Sequence, residues 1–208
     1  LLAASLKFEG SVVLQIQGNG PLSLLVAECA NDLAVRGTAK WRDQLEATGL
    51  RALVGGGHFV ITLDPRNGTE AYQGLVEIVG ESVAEALEHY MQQSEQIETR
   101  LFLASDRERA AGMMIQRLPG AEAADADAWN RACHLAATVT SAELLQLTPP
   151  QLVRRLFHEE DIRIFEPEIV SFRCSCSRER VAAMLRMLGH EEVQSVLEEQ
   201  GRVDVSCD

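Results

Sequence analysis

Apolar and polar residues alternate along Val12-Val-Leu-Gln-Ile-Gln17, stop at Gly18-Asn-Gly-Pro21, and resume from Leu22 to Ala27. Alternation of period two on both sides of such a break predicts a β-hairpin with one face toward a core. Apolar runs at 33–38, 53–63 and 71–78 predict three further strands, the last two joined by the turn-forming Asp64-Pro-Arg-Asn-Gly68. At Ser82 the period changes. Ser82-Val-Ala-Glu85 has the spacing of a capping box, and Val83, Ala86, Leu87, Tyr90 and Met91 follow three and four apart, which predicts an amphipathic helix lying on the sheet. Strands at 100–104 and 112–118 complete this core before Pro119-Gly120. The expected fold class is α+β, a largely antiparallel sheet core with packed helices.

From Ala121 the chain becomes alanine-rich and acidic, and a helical pattern runs through Trp129, Ala132, Cys133, Ala136 and Val139 with few large apolar anchors. Thr148-Pro149-Pro150 restarts a helix with Thr as N-cap and proline in the first turn, and Leu152, Val153, Leu156 and Phe157 give it one apolar face. Short strands are expected at 162–165 and 169–172, around Glu166-Pro167. Ser177 can cap a helix that runs to Leu188 and stops at Gly189, and a second helix at 191–199 ends at Gly201. Three stretches result: an α+β core at 1–119, a helical linker region at 120–172, and a small C-terminal module at 173–208.

Composition narrows the function. A chain of 208 residues, 46% hydrophobic and 24% charged, is ordinary for a folded protein rather than a disordered one. Its net charge of −12 argues against nucleic acid as a partner, since phosphate binding needs a surplus of Lys and Arg. No apolar run approaches the roughly 18 residues of a membrane span, so no membrane partner is expected. Five cysteines, odd in number and unevenly grouped, suit a reducing cytoplasm better than a secreted disulfide framework.

Several weak motifs lead nowhere. Gly55-Gly-Gly57 lacks the Lys-Ser/Thr of a phosphate loop, and His158-Glu159-Glu160 lacks a second His because position 162 is Ile. His89 has no His or Cys one turn away, and Cys29 and Cys133, isolated among alanines, read as packing residues. No nucleophile, base or paired-carboxylate pattern points to an enzyme.

The cysteines near the end are another matter. Cys174 and Cys176 are one residue apart, and Cys207 follows after 30 intervening residues. Thiols so grouped read as a Zn²⁺ site, and zinc takes four ligands. A cysteine beyond Asp208, spaced as Cys207-x-x-Cys, would complete a Cys₄ site, and His190 is the fallback within the chain. A module with so few apolar residues needs a staple, and bound metal supplies one. Oxidation of a thiolate to sulfenic acid, then condensation with its neighbour, would join Cys174 to Cys176 in a short and readily reduced disulfide and eject the metal.

Cys174-Ser-Cys176-Ser-Arg-Glu-Arg180 followed by Cys207-Asp208 resembles the zinc module of the heat shock protein 33 family, also called the 33 kDa chaperonin. Leu6-Lys-Phe-Glu-Gly10, Gln15-Ile-Gln-Gly-Asn-Gly-Pro21, Tyr72-Gln-Gly74, Tyr90-Met-Gln-Gln-Ser-Glu-Gln96, Thr99-Arg-Leu-Phe102 and Leu156-Phe-His-Glu-Glu160 resemble it too, so the likeness spans nearly the whole chain. The resemblance implies a redox-regulated, ATP-independent holdase that binds unfolded client proteins and pairs with itself on activation. It implies one Zn²⁺ in the reduced state, held by Cys174, Cys176, Cys207 and a cysteine beyond the chain end. On oxidation, disulfides Cys174–Cys176 and Cys207 with that further cysteine replace the metal, the module unfolds, and the linker becomes unstable. An N-terminal helical segment preceding Leu1 is also implied. Two other readings stay open: a zinc-stapled interaction module without a redox switch, and a thiol-disulfide oxidoreductase, which would need a CxxC in a thioredoxin-like setting.

Overall fold

The structure, a computed structural model, describes residues 1–5, 9–42, 45, 48–65, 70–118, 127–174 and 176–203. The chain divides into two compact units, Leu1–Val170 and Ser171–Asp208.

In the first unit a short helix α1 (Leu2–Ser5) precedes strands β1 (Gly10–Gly18), β2 (Leu22–Ala30) and β3 (Ala34–Trp41). After helix α2 (Leu50–Val54) come β4 (Gly57–Pro65) and β5 (Tyr72–Glu77), and these five strands lie in the order β5-β4-β1-β2-β3, antiparallel throughout. Alternation sets the register. Val12, Leu14 and Ile16 stand opposite Leu63, Ile61 and Phe59, so one face of the sheet is continuously apolar. Helix α3 (Val83–Tyr90) covers that face with Ala86, Leu87 and Tyr90, and Tyr90 meets Phe59 edge-on at 6.2 Å between ring centroids. Glycine at 74 is what admits the phenol: a Cβ there would overlap the Tyr90 hydroxyl and stand 2.7 Å from its Cε2.

Two local expectations change. Residues 53–63 are not one strand, because Leu50 and Val54 bury themselves as helix α2, and Gly55, at φ +71°, turns the chain into β4. The capping box at Ser82 is half made: Ser82 Oγ accepts the Glu85 amide at 3.1 Å, while the Glu85 carboxylate accepts the Glu81 amide at 2.5 Å. Past Tyr90 the helix relaxes into a single π-helical turn, Met91–Glu95, which returns Glu95 to accept the Tyr90 hydroxyl at 2.9 Å.

Strands β6 (Thr99–Ser105) and β7 (Ala110–Gln116) form a separate hairpin rather than extending the sheet. Its two faces serve two cores. Leu101 and Met114, paired across it, join the main core, while Phe102, Met113, Ala104 and Ala111 face a second one. Helices α4 (Ala128–Ala136), α5 (Ser141–Gln146) and α6 (Pro149–Phe157) follow, and buried Leu144, Leu152 and Leu156 close the second core. The start of the alanine-rich stretch, residues 119–126, lies outside the described residues, as does most of the turn at 64–68. Residues 161–170 hold no regular structure, so the strands expected at 162–165 and 169–172 reduce to a two-residue strand β8 (Ser171–Phe172), which opens the second unit.

That unit contains helices α7 (Arg178–Leu188) and α8 (His190–Gln200), ended by Gly189 at φ +86° and Gly201 at φ +72°. None of its described side chains is buried: Val181, Leu185, Val193 and Val196 are half-buried, and Phe172, Met184, Met187, Leu188 and Leu197 are exposed.

Candidate functional site

The thiols sit at the foot of α7. The Ser177 carbonyl accepts the Val181 amide at 3.0 Å, which starts the helix just after Cys176. Cys174 and Cys176 are both exposed and both carry thiols, and the Cys176 amide donates to Cys174 Sγ at 3.4 Å. A backbone donor is thus turned toward the Cys174 sulfur, and the helix begins two residues after Cys176. Glu179 takes hydrogen bonds from its own amide and from Ser177, which hold its carboxyl below the usual range and keep it ionised in that first turn. Cys176 opens onto a cavity of about 420 Å³ lined by Ser177, Arg178, Val181, Ala182 and Leu185.

This arrangement supplies part of a soft-metal donor set. Two accessible sulfurs one residue apart, with an amide already turned toward one of them, are chemically suited to zinc. Cys207, the third expected ligand, lies outside the described residues. His190, the fallback, opens α8 as an exposed residue, and no three His, Cys, Asp or Glu side chains come together as a metal site among the described residues. Cys174, Cys176 and His190 therefore do not make up the site by themselves. Cys29 and Cys133 are half-buried in the first unit, where burial pushes both thiols above their ordinary range and away from thiolate chemistry.

Ahead of this site in sequence is a feature that periodicity did not isolate. Ile162, Ile164, Phe165, Ile169 and Val170 are all exposed, Phe165 at 71% and Ile169 at 87%, in a segment without backbone pairing of the strand or helix kind. So many adjacent exposed apolar side chains are unusual on a soluble surface. The run of Ile and Val suggested strands, but residues 161–170 form none, and nothing in the local pattern of the sequence marked their exposure. His158 and Glu159 are solvated, whereas Glu160 pairs with Arg131 of α4 at 2.6 Å and ties the end of α6 to the start of the helical stretch.

The family model described as "Hsp33 protein" matches residues 1–208, the whole chain. The chain belongs to the Hsp33 family. Among its Hsp33 relatives, the 33 kDa chaperonin of Methylobacillus flagellatus is 55% identical over 210 residues, covering 100% of this chain and 72% of the relative. The 33 kDa chaperonin of Chromobacterium violaceum is 52% identical, covering all of this chain and 71% of its own length. The crystal structure of the Thermotoga maritima 33 kDa chaperonin, a heat shock protein 33 homolog, superposes with a TM-score of 0.83 at 22% identity, over 100% of this chain and 74% of that one. That agreement supports the mixed α+β fold with its antiparallel sheet. Hsp33 proteins are chaperones, not enzymes.

Proposed function

We propose that this chain is a redox-regulated, ATP-independent holdase that captures unfolding proteins once its exposed thiols are oxidised. The observation that carries the reading is the second unit itself: two accessible thiols begin a helical pair in which no described side chain is buried. A unit of that kind has too little apolar burial to hold itself folded, so its order depends on what its sulfurs are bonded to.

In the reduced state Cys174, Cys176, Cys207 and a cysteine beyond Asp208 would hold one Zn²⁺. Bound there, zinc supplies the positive charge that keeps the sulfurs deprotonated and a cross-link between the two ends of the unit. Oxidation needs only a peroxide. One thiolate of the Cys174/Cys176 pair attacks a peroxide oxygen, the O–O bond breaks, hydroxide leaves, and the sulfur becomes a sulfenic acid. The second thiolate then displaces hydroxide from that sulfur and the S–S bond forms. Two electrons pass from the two sulfurs to the peroxide, and with two protons its oxygens end as two waters. Disulfide sulfurs no longer donate as thiolates, so Cys174 and Cys176 would cease to hold the metal and the unit would lose its staple.

The apolar segment at 161–170 immediately precedes this unit in sequence and is the surface best suited to a client's exposed hydrophobic side chains. A surface this sticky also favours pairing of two activated copies. The net charge of −12 keeps such a complex in solution. Thiols that act as the sensor require a compartment where they start reduced, which supports the cytoplasm.

A client-aggregation assay tests the proposal. Full-length protein, zinc-loaded and reduced, should leave a heat-unfolding enzyme to aggregate, and the same protein after peroxide should suppress the light scattering without nucleotide. Equal protection by both forms would favour a zinc-stapled interaction module without a switch.

A further inference from the structure

The chain has five methionines, and the structure separates them sharply. Met91 is buried at 4% exposure beneath the sheet, and Met113 and Met114 are half-buried on the two faces of the β6–β7 hairpin. Met184 and Met187, three residues apart on α7, are 44% and 88% exposed. Oxidation of a thioether follows the access of oxidant to sulfur, and the product, a sulfoxide, is polar and is not reduced by thiols. We infer that Met184 and Met187 form a second oxidation site in this unit, a thioether site that takes hypohalous acids and is reset only by methionine sulfoxide reductases.

The step balances without any further reagent. The methionine sulfur attacks the chlorine of hypochlorous acid, the Cl–O bond breaks, and hydroxide departs. Water then adds to the chlorosulfonium, and chloride and two protons leave, one of which neutralises the departed hydroxide. Sulfur has lost two electrons, chlorine has gained them, and the oxygen of the sulfoxide comes from water.

Exposure also fixes the order and the consequence. Met187 covers almost nothing, so its sulfoxide forms first and costs the fold little. Met184 is more than half covered and stands in the same helical stripe as half-buried Val181, Leu185 and exposed Leu188. Its sulfoxide puts a strong dipole on a side chain that is more than half covered, in a unit with no buried side chain among its described residues. Restoring the thiols therefore leaves the unit altered for as long as Met184 stays oxidised. This chemistry is independent of the thiol switch, because it needs neither Cys174 nor Cys176 to react.

Peptide mapping by mass spectrometry on the reduced, zinc-loaded full-length protein tests it. With limiting hypochlorous acid, the sulfoxide fraction at Met187 should exceed that at Met91 by about tenfold or more, with Met184 between. Dithiothreitol should leave those sulfoxides in place, and the pair of epimer-specific reductases should remove them. After dithiothreitol and readdition of zinc, hydrogen exchange over residues 178–200 should stay faster than in untreated protein, and should recover fully in the M184L/M187L double variant, whose side chains keep similar volume and apolarity. Oxidation of Met187 no faster than Met91, or full recovery of the parent with dithiothreitol and zinc but no sulfoxide reductase, would overturn the inference. The thiol count after peroxide reports on the disulfide switch separately, so the failure of either leaves the other standing.

Discussion

Tyr90 shows how one residue joins the helix, the sheet edge and the π-helical turn. Its ring is 2% exposed, its hydroxyl donates to Glu95 at 2.9 Å, and Gly74 makes room for it on the edge strand. Burial first, and then the hydrogen bond to Glu95 and that carboxylate's charge, push the phenol well above its ordinary range. The sign follows from linkage. Above a pH of about 10 an unfolded tyrosine ionises while the folded one cannot, so the native state binds more protons and stability falls as pH rises. Alkaline denaturation followed by circular dichroism should therefore steepen above that pH in the parent and flatten in Tyr90→Phe, at a cost near neutrality of about 1 kcal/mol for the lost hydrogen bond. Gly74→Ala should be worse than its size suggests. A methyl placed against the phenol overpacks the core and should cost about 1–3 kcal/mol, seen as a lower melting temperature with no change in the second unit's exchange.

At the scale of elements, the hairpin β6–β7 matters most, because its alternation feeds a large core on one face and a small one on the other. The small core rests on Leu144, Leu152 and Leu156, so Leu156→Ala should cost about 2–5 kcal/mol locally. Hydrogen exchange should accelerate over 141–157 while β1 and β4 keep their protection; loss of both together would mean the two cores unfold as one. The same helices depend on charge at their ends. Glu143 closes the capping box with Thr140 and also pairs with Arg155 at 2.7 Å, and the hydrogen bonds from Thr140, then the charge of Arg155, hold its carboxyl below the usual range. A depressed carboxylate contributes stability above its unfolded value and loses it as pH falls through the folded one. Glu143→Gln should therefore reduce the acid sensitivity of this segment while lowering its stability at neutral pH. The elements most legible in the sequence were those whose signal is local. The break Gly18-Asn-Gly-Pro21 placed the β1–β2 hairpin, and Thr148-Pro149-Pro150 placed the start of α6. Helix α2 was hidden because Leu50 and Val54 are buried by tertiary contacts that a five-residue window does not reveal, and the strands expected within 162–172 shrank because a β-branched run forms a strand only where a neighbour offers hydrogen bonds. Of the candidate site, the Cys174/Cys176 pair and its helix were readable from spacing and capping, while the exposure of 161–170 was not.

Taken whole, the chain pairs a unit with two apolar cores and a unit with none among its described residues. Their stabilities should therefore have different origins: hydrophobic burial in Leu1–Val170, and sulfur chemistry in Ser171–Asp208. Structural zinc contributes apparent binding energies of about 10–16 kcal/mol at neutral pH, far beyond what a few half-buried valines and leucines on two helices can supply. Chelation is then the most direct separation of the two. With thiols kept reduced by a phosphine, adding a strong chelator to zinc-loaded full-length protein should abolish exchange protection across α7 and α8, each 11 residues long, and leave β1, β2 and β4 protected. Readdition of zinc should restore it, since no covalent change has occurred. Protection of α7 and α8 that survives chelation would mean that these helices draw their order from packing after all, and oxidation of Cys174 and Cys176 would then have no structural lever to pull.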